Sequence, residues 1–202
     1  MKTQPLRVQL REATWSAILD AAERVAAEEG SAKASLQAIA QSAGIAVGTI
    51  YNYFDDRQKL FDALFAKRRE ELYEAIDEQA RAHARAPFPE QLDAYVRAVF
   101  THFDARRDFL RIALESESQR PQIVKGKGGA KQPAMQQLQE RAERVMRIGI
   151  KEGALREDGA ELLAILLVSL VRGMLVARSI GEQPFVPETE RVVSLFLHGA
   201  AR

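Results

Sequence analysis

Ser35-Leu-Gln-Ala-Ile-Ala-Gln-Ser-Ala-Gly-Ile-Ala-Val-Gly-Thr-Ile-Tyr-Asn-Tyr-Phe54 reads as two short helices joined by a tight glycine turn, the pattern of a helix-turn-helix. Leu36, Ile39 and Ala40 recur at helical spacing and give the first helix one apolar face. Gly44 supplies the turn, and Ile50 with Phe54 gives the second helix its buried side. Left outward on that second helix are Val47, Gly48, Thr49, Tyr51, Asn52 and Tyr53. Small residues let a helix sit deep in a major groove, hydroxyls and amides bond phosphate oxygens or base edges, and Val47 can meet a thymine methyl, so this face suits duplex DNA. An aromatic pair at such spacing is more often core than contact surface. Here Ile50 and Phe54 already fill the buried side and leave too little apolar volume to cover both tyrosines.

Upstream, Trp15, Ile18, Ala22 and Val25 recur at steps of three and four and predict a helix from about Thr14 to Glu29, ended by Gly30. Ser35 stands where the next helix wants an N-cap, and its hydroxyl can serve both a backbone N–H and a phosphate. Ala46, before the second helix of the motif, forgoes about 1 kcal/mol of capping. Asp55 or Asp56 caps the helix that follows; with Asp55 as cap, Gln58 falls at the capping-box position. That helix is expected to run from Arg57 to near Ala84, with Lys67-Arg68-Arg69 as a solvated face.

These residues resemble the tetracycline-repressor-like (TetR) family of one-component transcription regulators. The resemblance spans Ile18 to Leu64: Ile-Leu-Asp-Ala-Ala from Ile18, Glu-Glu-Gly at Glu28, Ile39-Ala40, Ala43-Gly44-Ile45, Gly48-Thr49-Ile50-Tyr51, Tyr53-Phe54, then Arg57 and Leu60. It implies an all-α homodimer with an N-terminal three-helix helix-turn-helix domain, residues 1–56 with an arm at 1–12, and a C-terminal helical effector-binding and dimerisation domain, residues 57–202. It also implies DNA contacts by Thr49, Tyr51 and Tyr53, phosphate contacts by Ser35 and Arg57, and close approach at Gly48. Asn52 joins this set from chain geometry. A repressor released from a palindromic operator by a small-molecule effector is the implied function. A helical protein-interaction module with a vestigial DNA-binding head is the alternative.

The 202 residues can bury a sizeable core, and with no cysteine there are neither disulfides nor thiolate metal sites. Net charge is +1, from 29 basic and 28 acidic residues, so bulk electrostatics give no hint of nucleic acid. The local balance differs: Lys2, Arg7 and Arg11 lead the chain, and Lys33, Arg57 and Lys59 flank the motif. The N-terminus lacks a signal-peptide core, and the most apolar segment, Leu162 to Ala177, carries Ser169 and Arg172, so a soluble cytoplasmic protein with no membrane partner is expected.

Beyond Pro87 and Pro89, amphipathic patterns predict helices over 90–106, 108–117 and from Met135 to near Gly153, with a glycine- and lysine-rich loop between Ser118 and Pro133. Asp158 is the expected cap of the next helix. That helix is apolar nearly all round and needs a second partner on its far side. With the last helix, about Glu188 to His198, it is expected to form a two-fold interface through Leu163, Leu166, Leu170, Val192, Leu195 and Phe196.

No catalytic constellation is present: His83, His102 and His198 are far apart, so no enzyme, metal site or cofactor is expected. The body is rich in aromatics and leucines, which suits a largely apolar effector pocket. Its candidates are Tyr95, Phe100, His102, Phe103, Phe109, Met135, Leu138, Arg172 and Met174, for which plain core packing is the simpler reading, with Arg172 the exception. Arg172, a charge in an apolar helix, would need a carboxylate such as Glu115 or Glu117, a carbonyl or an anionic ligand.

Overall fold

The computed structural model describes residues 5–119, 133–157, 159–179, 181 and 183–200. Among these the protein is all-α, with no strand. They divide into two compact units, one within Met1–Arg68 and Asp108–Pro121, the other within Arg69–Arg107 and Gln122–Arg202. The first unit is thus assembled from two stretches of chain, and it takes in sequence beyond a cut at 56/57.

In the first unit α1 (Leu6–Glu29) precedes α2 (Leu36–Ala43) and α3 (Val47–Tyr51), and α4 (Arg57–Ala82) begins there. Each boundary has a local cause. Gly30 ends α1 at a φ of 89°, and the Ser35 hydroxyl oxygen accepts the Ala38 N–H at 3.1 Å to start α2. Gly44 lies in the left-handed region (φ 68°, ψ 30°), which turns the chain into α3. Ala46 makes no side-chain cap, as expected of alanine. Asp56, rather than Asp55, caps α4 by accepting the Lys59 N–H at 2.8 Å, so Gln58 is not in a capping box and donates to Asp62 instead. Helix α1 begins two turns earlier than the apolar periodicity indicates.

Ile18, Leu19, Ile39, Ile50, Leu60 and Leu64 are essentially inaccessible and form this unit's core, joined by Ile112 of α6 (Arg107–Gln119). Burying each such side chain contributes about 1.5–3 kcal/mol. The Lys67-Arg68-Arg69 run is not one solvated face. Arg68 is buried and ion-paired with Glu23 and Asp20 of α1, because its helical position points it inward beside two carboxylates.

The second unit contains α5 (Phe88–Ala105), α7 (Pro133–Lys151), α8 (Ala160–Ala177), a 3-10 turn (Val186–Glu188) and α9 (Thr189–Ala200). Helix α5 packs on α7 and α9, and α7 on α8. Phe100 stacks on Phe185 with ring centroids 5.9 Å apart. Asp104 accepts the backbone N–H groups of Phe185 and Val186 at 2.8 and 2.9 Å, fixing the entry to α9. The backbone of Gly149 runs so close to Phe88 and Leu155 that an added Cβ would lie 2.8 Å from both side chains. Helix α8 starts after Gly159, while the expected cap, Asp158, and residues 120–132 of the expected loop lie outside the described residues.

By length and composition α8 is apolar enough to cross a membrane. One face is core: Leu163, Ala164, Leu167, Val168, Val171 and Leu175 are buried. The other is open, with Leu162, Leu166 and Val176 about half exposed.

Candidate nucleic-acid interface

The geometry of α3 follows from its two anchors. Ile50 is fully buried and Phe54 nearly so, and Phe54 N–H closes back on the Ile50 carbonyl at 3.0 Å. Everything on the opposite side is therefore turned out. Tyr51 is 56% exposed, and Gly48 and Asn52 are exposed beside it. No atom lies within 4 Å of where a Cβ on Gly48 would stand, so the backbone there is open to close approach. Thr49 is half-buried. Val47 and Tyr53 are half-buried too, each resting one side on the core cluster.

Ser35 remains half-buried at the start of α2, its oxygen engaged with Ala38 and its O–H still a donor. Arg57 is placed differently from a phosphate ligand. Its Nε donates to the Ala34 carbonyl at 2.7 Å, its Nη2 donates to the Ser31 carbonyl, and its guanidinium lies 4.7 Å over the Phe61 ring. A planar fork held by two carbonyls and a ring clamps the α1–α2 turn. Glu115 holds the same turn by accepting the Ser31 N–H at 3.3 Å. Arg11, outside the expected set, sits with its guanidinium 5.7 Å from the Tyr53 ring centroid.

The second unit has a cleft of about 220 Å³, lined by Ile76, Ala80, Tyr95, Val145 and Ile148, with Arg141 and Arg144 beside them. Asp77 receives both arginines, at 2.7 and 2.9 Å, so two guanidinium charges face one carboxylate. Arg141 also lies 4.3 Å over the Tyr73 ring. Burial pushes the Tyr95 phenol above its ordinary 10.0, and its O–H donates to the Leu138 carbonyl at 3.3 Å. Of the expected effector residues only Tyr95 lines this cleft. Phe100 is core against Phe185, His102 is buried edge-on to Phe103 at 5.2 Å, and Phe109 pairs with Phe65 at 5.6 Å in the first unit. Phe103, Met135, Leu138 and Met174 are half-buried. Arg172 is exposed on α8 rather than enclosed in apolar core, and Glu115 is engaged with Ser31. Arg141 and Arg144 are not legible as site residues in the sequence because both lie along one edge of the apolar stripe of α7, where a charge reads as a solvated flank.

Of the expected interface residues, Leu166 and Leu195 are 52% and 62% exposed and Leu170 is half-buried, whereas Leu163, Val192 and Phe196 are covered by their own chain. Steps of three and four mark an apolar stripe without telling which edge of it faces inward. Among the described residues no group of three or more histidine, cysteine or carboxylate side chains could hold a metal ion.

Residues 18–64 match the family model for bacterial regulatory proteins of the tetR family. No curated protein matches the chain. Among solved structures, the TetR-family regulator PfmR from Thermus thermophilus is 20% identical over 92% of this chain and 99% of its own, with a TM-score of 0.72. A TetR regulator from Haloarcula marismortui is 18% identical over 95% and 100%, with a TM-score of 0.74. FadR from Bacillus subtilis, solved with stearoyl-CoA, is 19% identical over 92% and 98%, with a TM-score of 0.72. At these identities the likeness is one of fold.

Proposed function

We propose, from a head that belongs to the tetR family of bacterial regulatory proteins and a chain with the fold of that family's solved structures, that this DNA-binding regulator acts in the cytoplasm as a homodimeric repressor of a palindromic operator. The observation that carries the reading is the exposed face of α3, where Tyr51, Asn52 and open Gly48 follow a left-handed glycine. Tyr51, Asn52 and Thr49 reach base edges or phosphates, Gly48 lets the backbone approach, Val47 and Tyr53 flank, and Ser35 donates to a phosphate. Arg57 supports the interface from behind by holding the α1–α2 turn.

A two-fold dimer would present two such helices about 34–36 Å apart, or at a multiple of that spacing. The open apolar stripe of α8 (Leu162, Leu166, Leu170, Val176) and Leu195 of α9 support pairing with a second copy. Glu161, Ser169 and Arg172 are exposed on α8, and charges there are poorly suited to lipid.

The α4, α5 and α7 cleft supports an effector that is largely apolar and carries an acidic group, its chain against Ile76, Ala80 and Ile148 and its charge toward Arg141 and Arg144. Release follows if the effector favours a body conformation that spoils the half-site spacing; a near-complete switch needs about a 10⁴-fold preference between states. Repression is the sign the family implies. In a gel-shift titration, Tyr51→Ala is expected to weaken operator binding about tenfold or more while the dimer persists. Unchanged affinity would remove Tyr51 and this reading of the α3 face.

A further inference from the structure

Helix α1 extends well beyond what its own chain buries. Residues 5–13 are all exposed, and the first fully buried side chain is Ile18, so about 18 Å of helix precedes the core.

The side of this extension that matters is set by the register of the core. Counting back from the buried Val25, Ala22 and Ile18, the same stripe continues through half-buried Trp15 to Arg11 and Arg7, at steps of three and four. The face that is apolar where it packs on α2 becomes basic toward the start of α1, beside Tyr53. Trp15 ties that end to the recognition element, its ring 6.4 Å from Phe54, and Arg11 stands 5.7 Å from the Tyr53 ring. Arg7, Val8, Arg11, Glu12, Trp15 and Tyr53 together line an open groove of about 540 Å³. Two guanidiniums against one carboxylate leave it positive, and it is continuous with the α3 face through Tyr53.

We propose that Arg7 and Arg11 form a second DNA contact, gripping backbone phosphates that flank the bases read by α3, so that the basic end of α1 lengthens the operator footprint. The occupant is duplex DNA: the groove's charge is complementary to phosphate, and its wall includes Tyr53, two residues past the end of the base-reading helix α3. Such contacts hold register and supply affinity without reading sequence. The two arginines lie outside residues 18–64, where the family model matches. This inference rests on the regulator reading of α3.

The test is the salt dependence of binding by the full chain, measured by fluorescence anisotropy on a selected duplex and a random one. For Arg7→Gln/Arg11→Gln, affinity for both duplexes is expected to fall by the same factor. The slope of log K against log salt should flatten by about 0.9 for each phosphate no longer neutralised. Hydroxyl-radical protection should vanish at the outer edges of the footprint and persist at its centre. Arg7→Lys/Arg11→Lys should keep most of the slope, and Arg147→Gln, an exposed change on α7, should leave it unaltered. An unchanged slope and footprint in the glutamine variant, with wild type binding normally, overturns this contact alone. So does a change in oligomeric state with the slope intact, which would make the extension a contact between copies. Wild type that binds no duplex overturns the regulator reading, and this contact with it.

Discussion

Arg68 of α4 donates through Nε to the carboxylate of Glu23 on α1 at 2.7 Å, with both side chains buried, and Asp20 at the rim takes a second guanidinium nitrogen. An ion pair taken out of water stabilises only as long as both partners stay. Arg68→Ala strands Glu23 in the core of the first unit and is expected to cost about 3–5 kcal/mol. Replacing both, as Arg68→Met/Glu23→Leu, removes the buried charges together and should recover most of that loss. Urea unfolding of the two variants beside wild type checks it; equal destabilisation by both would show that the pair is not the source.

Tyr51 and Tyr53 should separate in their side effects. Tyr51 is exposed, so Tyr51→Ala is expected to shift unfolding by less than about 0.5 kcal/mol. Tyr53 rests on the core cluster, so Tyr53→Ala should lose stability by about 1 kcal/mol or more as well as DNA affinity. Thermal scans paired with gel shifts distinguish the two; a stable Tyr53→Ala protein would mean that its packing contributes little.

How far these roles were legible in the sequence depends on the residue. Gly44, Ile50 and Phe54 determine the motif, because only a left-handed glycine between two apolar stripes makes that turn, and the structure places all three as expected. Arg57 illustrates the limit. A basic residue beside a DNA motif suggests a phosphate, yet carbonyls of Ser31 and Ala34, more than twenty positions away, hold its guanidinium. Arg68 likewise looks like part of a solvated run until α1 supplies Glu23. Helix periodicity reveals which residues share a stripe; it does not reveal which edge of the stripe meets another element, and so Leu163 and Leu166 could not be told apart.

Gly149 is a packing requirement that composition cannot reveal. A Cβ there would collide with Phe88 and Leu155, both deeply buried, so Gly149→Ala is expected to destabilise the body by about 1–3 kcal/mol despite alanine's better helix propensity. Denaturant unfolding provides the check, and a stabilised variant would show that the neighbouring side chains yield freely.

Tyr95 should give the body an alkaline signature. Its phenol ionises higher in the folded chain than in the unfolded one, because burial disfavours the phenolate. Its contribution is fully present below the unfolded value of 10.0 and lost as pH rises above it, since only the unfolded chain then releases the proton. The loss amounts to about 1.4 kcal/mol per pH unit until the folded group also ionises. Tyr95→Phe should therefore show a shallower decline above pH 10 than wild type, measured by urea unfolding across the alkaline range. Parallel declines would place the effect elsewhere.

Filling the cleft should uncouple effector from operator. Ala80→Trp puts a large side chain among Ile76, Tyr95 and Ile148, and is expected to preserve operator binding while abolishing release by any effector that raises the melting temperature of wild type. Release that survives the substitution would move the effector to another site.

The most direct measurement of the whole account is selection of bound duplexes from a random library by the purified protein. An enriched inverted repeat, with half-site centres separated by about one helical turn or a multiple of it, is the expected result. Recovery of no common sequence, from a protein shown to be folded, would contradict it.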